Sequence, residues 1–171
     1  MADFPTYQTI VDQFRTACSE HLAINEFGEG SIDRLDSLTQ NVKYPFAFLR
    51  PITSQGMVLN QNGISGARAL NFEFIMIDVP QLTDTDVLKL QSQCEIYIYD
   101  IIAYLNLGQY QQSEYITLNS ITPLYESFND RVAGWNASIT VNTYGTLDFC
   151  NLDRKSTRLN SSHVALSRMP S

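Results

Sequence analysis

Ala67-Arg68-Ala69-Leu70-Asn71-Phe72-Glu73-Phe74-Ile75-Met76-Ile77-Asp78-Val79 is the stretch that decides the fold. Leu70, Phe72, Phe74 and Met76 recur every second residue, with Asn71 and Glu73 between them. Alternation of this kind places one face of a strand on a core and the other toward water. Ile75 and Ile77 break the alternation, so the far end of the strand is apolar on both faces. That end is expected to lie under a second layer or a partner.

On the C-terminal side the period changes. Val87, Leu90, Cys94, Tyr97, Ile98, Ile101 and Leu105 step by three and four residues and predict a helix from about Asp84 to Leu107. Thr83 supplies its N-cap, Asp84 and Asp86 suit the positive end of its dipole, and Gly108 ends it. Tyr99 and Tyr104 lean away from the stripe, and tyrosine joins an apolar body to a polar tip suited to interfaces.

On the N-terminal side, residues 6–24 read as a helix capped by Thr6, with Tyr7, Ile10, Val11, Phe14, Cys18 and Leu22 on one face. A polar connection over 27–44 carries a Gly28-Glu29-Gly30 turn. It leads to an aromatic strand, Tyr44 to Pro51, whose bounding prolines suit a sheet edge. Residues 53–66 read as a long hairpin loop with ragged strand ends and an Asn62-Gly63 turn. Such a loop in a compact domain often carries a contact.

Beyond the second helix, 109–114 read as a loop. Tyr115–Leu118 and Ile121–Tyr125 are extended, with Pro123 marking an edge or bulge. A polar turn over 126–133 precedes a half-buried strand in which Trp135, Ala137, Ile139 and Val141 face inward. The expected architecture is α+β: an antiparallel sheet of about four strands with two helices on one face, in the order α-β-β-α-β-β.

Charge divides the 171-residue chain. Residues 1–152 hold seven basic and 17 acidic side chains, a net of −10, whereas 153–171 carry +3. An acidic body disfavours direct contact with a phosphate backbone. The segment from Asp153 to His163 and the stretch Ser167-Arg168-Met169-Pro170-Ser171 resemble an in-frame translation of a common sequencing adapter on either side of its variable index. Residues 153–171 are therefore expected to be non-native and disordered, and 1–152 to be one domain truncated at its C-terminus.

Catalytic and metal signatures are weak. Cys18, Cys94 and Cys150 are odd in number and widely spaced, which fits neither a disulfide framework nor a zinc site. A reducing compartment fits them best, with Cys18 and Cys94 as small buried hydrophobes. Cys18 and His21 form a lone i, i+3 pair, and His21 is expected to be loosely exposed at the helix end. Gly63-Ile64-Ser65-Gly66 has its second glycine one residue too early for a nucleophile elbow. No phosphate loop or dinucleotide fingerprint occurs. Asp84 with Asp86 reads as helix-start carboxylates, and Glu126, Asp130 and Arg131, flanking a turn, as a local ion pair as easily as a site. Asn136-Ala137-Ser138 forms a sequon, and no basic and apolar leader opens the chain at Met1.

Three stretches carry a family resemblance. They are Tyr44-Pro45-Phe46-Ala47-Phe48-Leu49 after an N-terminal helix, the strand-to-helix unit from Leu70 to Leu107, and Pro123 to Trp135 followed by Leu147-Asp148-Phe149-Cys150. Together they resemble the tail-terminator and tail-completion (neck) proteins of tailed bacteriophages. The resemblance implies a structural virion protein, assembled in the bacterial cytoplasm into a ring, typically hexameric. Such a ring terminates the tail tube and helps join tail to head. It implies itself and tail-tube or neck proteins as partners, with no catalysis, cofactor, metal, nucleic-acid contact or membrane. The candidate subunit and tube contacts are Met57, Leu59, Gln61 and Asn62 of the loop, Phe46 and Phe48 of the edge strand, and Tyr99 and Tyr104 of the second helix. The alternatives are another head–tail connector and, in a different class, a small cytosolic module binding a ligand between the second helix and the sheet. An enzyme built from ordinary acidic and hydroxyl residues ranks third.

Overall fold

A computed structural model describes residues 5–31, 42–54, 56–60, 65–80, 84–107, 114–127 and 131–146. The chain folds as α1 (Tyr7–Glu20), β1 (Glu26–Glu29), β2 (Phe46–Ser54), β3 (Val58–Leu59), β4 (Ser65–Asp78), α2 (Asp84–Leu107), β5 (Glu114–Ser127) and β6 (Arg131–Thr146). The α+β class is as expected, but the sheet has six strands rather than four. Its order is β1-β2-β4-β6-β5, and β3 also pairs with β4. Every pairing is antiparallel except β1 with β2.

β4 is the organising strand. It pairs with β6 along its whole length, from Ser65↔Thr146 to Asp78↔Ala133. On its other side it pairs with β2 from Phe46↔Ile77 to Ser54↔Leu70, and then with β3 at Val58↔Ala67 and Leu59↔Gly66. One face of this sheet carries Ala47, Leu49, Leu70, Phe72, Phe74, Met76, Ala137, Ile139 and Val141. Both helices bury their apolar sides there: Ile10, Val11, Phe14 and Cys18 from α1, and Leu90, Cys94, Ile98, Ile101 and Leu105 from α2. Phe14 meets Phe74 at 5.3 Å between ring centroids. Trp135 Nε1–H donates to the Gln91 carbonyl at 2.7 Å, anchoring α2 over β6.

The opposite face carries a second core of Phe46, Phe48, Ile75, Ile77 and Val132. This is the two-sided burial expected from Ile75 and Ile77. Toward the other end that face turns polar. Asn119 donates to Thr140 Oγ1 at 2.8 Å, Thr140 to Asn71 Oδ1 at 2.8 Å, and Asn71 to Thr53 Oγ1 at 3.1 Å. The chain of bonds crosses β5, β6, β4 and β2, so polar side chains satisfy one another without a covering layer.

Several local readings need correction. The α1 helix ends at Glu20, so Leu22 lies past it and is fully exposed instead of joining the stripe. Thr6 does cap it, accepting from the Thr9 N–H at 3.1 Å. Part of the polar connection is β1, held to β2 by tertiary bonds: the Asn25 N–H donates to the Pro45 carbonyl at 3.0 Å and the Gly30 N–H to Leu49 at 3.2 Å. Gly30 turns away from the strand at φ 128°, where a side chain would be strained. The two extended pieces after α2 are one strand, β5, with an irregularity between Leu118 and Ser120. It is the sheet's edge, as Pro123 implied. β5 continues to Ser127 and β6 begins at Arg131, which shortens the expected polar turn. The α2 bounds are those expected; Thr83 and Gly108 lie outside the described residues.

Gly134 is fixed by close approach. A Cβ there would lie 1.9 Å from the Met76 carbonyl oxygen and 2.9 Å from Ile77 Cα, backbone atoms of the paired strand that cannot step aside. Gly134→Ala is expected to cost roughly 3 kcal/mol, the upper range for overpacking. Gly56→Ala, with nothing within 4 Å of its Cβ, is expected to change stability little. Urea unfolding of both variants checks the contrast.

Candidate functional site

The described side chains come together in two exposed apolar surfaces rather than in a catalytic cleft. The first is the outer side of α2. Leu88, Ser92, Ile96, Tyr99, Ala103 and Leu107 follow one another at steps of four, four, three, four and four residues, and all are exposed. This spacing keeps them on one stripe of the helix. Leu88 is 67 % exposed and Leu107 77 %. The inner stripe of the same helix fills the core. An exposed apolar stripe on a helix whose other side is already packed is a candidate contact surface.

The second surface is the open end of the sheet, on the face away from the helices. Val58 stands opposite Ala67, and Ala67 opposite Tyr144. Tyr144 stacks on Tyr115 with ring centroids 6.2 Å apart and an interplanar angle of 21°. Directly opposed residues share a face, so Val58, Ala67, Tyr144 and Tyr115 form a band across β3, β4, β6 and β5. Val58 is 73 % exposed, and Met57 beside it is also exposed. A hydrogen bond with Tyr115 raises the Tyr144 phenol above its ordinary value. The β3–β4 hairpin is braced by the Asn60 N–H donating to the Ser65 carbonyl at 2.7 Å.

The expected contact residues fall differently. Met57 and Leu59 are exposed at this end of the sheet. Gln61 and Asn62 lie outside the described residues. Phe46 and Phe48 are corrected: their strand β2 lies inside the sheet between β1 and β4 rather than at an edge, and both are 0 % exposed in the second core, so they pack the body and offer no free surface. Tyr99 belongs to the outer α2 stripe, its hydroxyl donating to Glu95 at 3.0 Å. Tyr104 is exposed too, but its hydroxyl donates to Glu20 at 2.5 Å and ties α2 to α1.

The edge strand β5 is guarded. Asn106, near the end of α2, accepts from the Ile116 N–H at 2.8 Å and donates to the Ile116 carbonyl at 3.0 Å. Its carboxamide thus takes the place of a neighbouring strand at that residue, and Pro123 withholds a donor further along.

The groups screened for chemistry are held structurally. Cys18 and Cys94 are buried, and burial pushes both thiols up to about 12, which suppresses the reactive thiolate. His21 is tucked in rather than loose: the Ala23 N–H donates to Nδ1 at 3.3 Å, Nε2 faces Asp100 at 3.5 Å, and the ring meets Tyr97 edge-on at 5.1 Å. Among the described residues no three His, Cys, Asp or Glu side chains cluster as metal ligands. The side chains of Asp84, Glu126 and Arg131, and all of Asp130 and Cys150, lie outside the described residues. A pocket of about 200 Å³ opens among Arg15, Cys18, Ser19, Ile24, Asn25, Glu26 and Phe27, beside α1 rather than under α2. No described helix is long and apolar enough to cross a membrane.

No family model and no curated protein matches the chain.

Asp78, at the end of β4, has its carboxyl raised by burial, partly offset by the Val79 N–H donating to Oδ1 at 2.7 Å. With the folded value raised, the unfolded chain loses its proton first as pH climbs. Stability therefore falls from the unfolded carboxylate range up through the folded value. Asp78→Asn keeps an acceptor for Val79 and removes that fall. Its urea midpoint is expected to exceed the wild type's near pH 7 and to match it near pH 3, below the ordinary carboxylate range of about 4.

Proposed function

We propose that this chain is a structural protein of a tailed-phage virion that assembles into a ring, typically of six subunits. The ring ends the tail tube and presents a face for head joining. The observation that carries the reading is the exposed apolar stripe of α2 over a rigid, doubly packed sheet. A large uncovered apolar surface on a stable body marks a place where another protein sits. The three stretches that resemble tail-completion proteins supply the kind of assembly. Tyr44–Leu49 contributes the first half of β2, Leu70–Leu107 contributes the later part of β4 and α2, and Pro123–Trp135 contributes parts of β5 and β6.

One further feature favours a building block. The acidic 1–152 body, net −10, suits a basic partner surface better than a phosphate backbone.

The test starts from the source DNA, by reading past codon 152 and into the neighbouring frames. The tube-forming product encoded there is then polymerised with and without this protein, and the ends are viewed by electron microscopy. Rings at one tube end and a narrowed length distribution are expected. Tubes of unchanged length with bare ends would overturn the reading, and rings found only on heads would reassign the protein to the connector.

A further inference from the structure

We infer that the two apolar surfaces are the two halves of one contact, in which the sheet-end band of one copy docks on the outer α2 stripe of the next. This deepens the ring reading; it rests on that reading for closure of the circle and not for the contact itself.

Place, charge and area lead to this pairing. The α2 stripe lies on the helix-covered side of the sheet and the band on the opposite face. One copy therefore presents them in different directions, which is the geometry of a head-to-tail contact that repeats and closes only by symmetry. Self-pairing of α2 across a two-fold axis is disfavoured by charge. Glu95 and Asp100 flank the centre of the stripe, so an antiparallel α2 pair would set the Glu95 of one copy near the Asp100 of the other. The described side chains that adjoin the band on the same face include the uncharged Ala69, Thr117 and Asn142. Acidic flanks brought against these three residues meet no like charge from them.

The areas match. Leu88, Ile96, Tyr99 and Leu107 leave on the order of 500 Å² in water, as do Met57, Val58, Tyr115 and Tyr144. Each patch is as large as the biggest one a monomer ordinarily shows. Covering both removes about 1,000 Å², which is the size of a weak or transient interface. The tyrosines at the centre of each patch are the residue type that anchors such contacts.

The experiment uses the full chain and two double variants, Ile96→Glu with Leu107→Glu on the stripe, and Val58→Glu with Tyr144→Glu on the band. All four positions are exposed, and circular dichroism with Trp135 fluorescence confirms folding. Serine at the same positions serves where a glutamate variant does not fold. Sedimentation is expected to show the wild type heavier than a monomer at about 100 μM, the range of a small interface. Each variant alone is expected to be monomeric. A mixture of the two is expected to give a dimer and nothing larger, because one intact band meets one intact stripe and the other ends are blocked. Wild type that stays monomeric, a variant that still self-associates, or a mixture that stays monomeric would each overturn the contact. Association by these surfaces with no effect on tube ends would refute the function reading alone. A monomer that still caps tubes would refute the contact alone.

Discussion

Everything in this molecule hangs on β4 being paired on both sides while two of its residues, Ile75 and Ile77, are buried on the face opposite Phe72, Phe74 and Met76. A strand buried on one face alone would need only the helices. Burial on both faces forces a second core onto the sheet, and Phe46, Phe48 and Val132 supply it from the two neighbouring strands. The same doubly packed end explains Gly134, which sits where β6 runs against the backbone of β4 too closely for any side chain. Apolar material is spent unevenly along the sheet. One end is packed on both faces, while the other holds a polar network and then the bare band from Val58 to Tyr115.

The consequence for function is a rigid body with two unfilled surfaces. For the proposed assembly role rigidity matters, because an interface pays for any ordering of its parts on binding. Here α2 is fixed from within by its inner stripe and by the Trp135 bond, so its outer stripe is presented preformed. The free β5 edge is handled in the opposite way. Asn106 and Pro123 interrupt it, which discourages indiscriminate strand pairing along that edge.

Much of this was legible in the residues. The period of two in Leu70–Met76 and the step of three and four in Val87–Leu105 located β4 and the bounds of α2. The apolar pair Ile75 and Ile77 announced the second core. β1 was not legible because Glu26-Phe27-Gly28-Glu29 is short, acidic and interrupted by glycine. Its backbone bonds to Pro45 and Leu49 create it, and these are set by tertiary placement. β3 has only two residues, too few for a period. β5 looked like two pieces because Pro123 and the irregularity after Leu118 mask a single strand.

The exposed surfaces were half legible. Tyr99, Met57 and Leu59 could be singled out by residue type, but Phe46 and Phe48 carry the same apolar signal as exposed residues and differ only in what covers them. The signal passed over was in α2, where Leu88, Ile96 and Leu107 continue Tyr99 into a second helical stripe beside the core one. Hydroxyl-radical footprinting of dilute against concentrated protein tests the central claim most directly. The account predicts that Leu88, Ile96 and Tyr99 are protected together with Met57, Tyr115 and Tyr144, while the exposed Tyr125 is unchanged. Protection of one group without the other, or of neither, would contradict it.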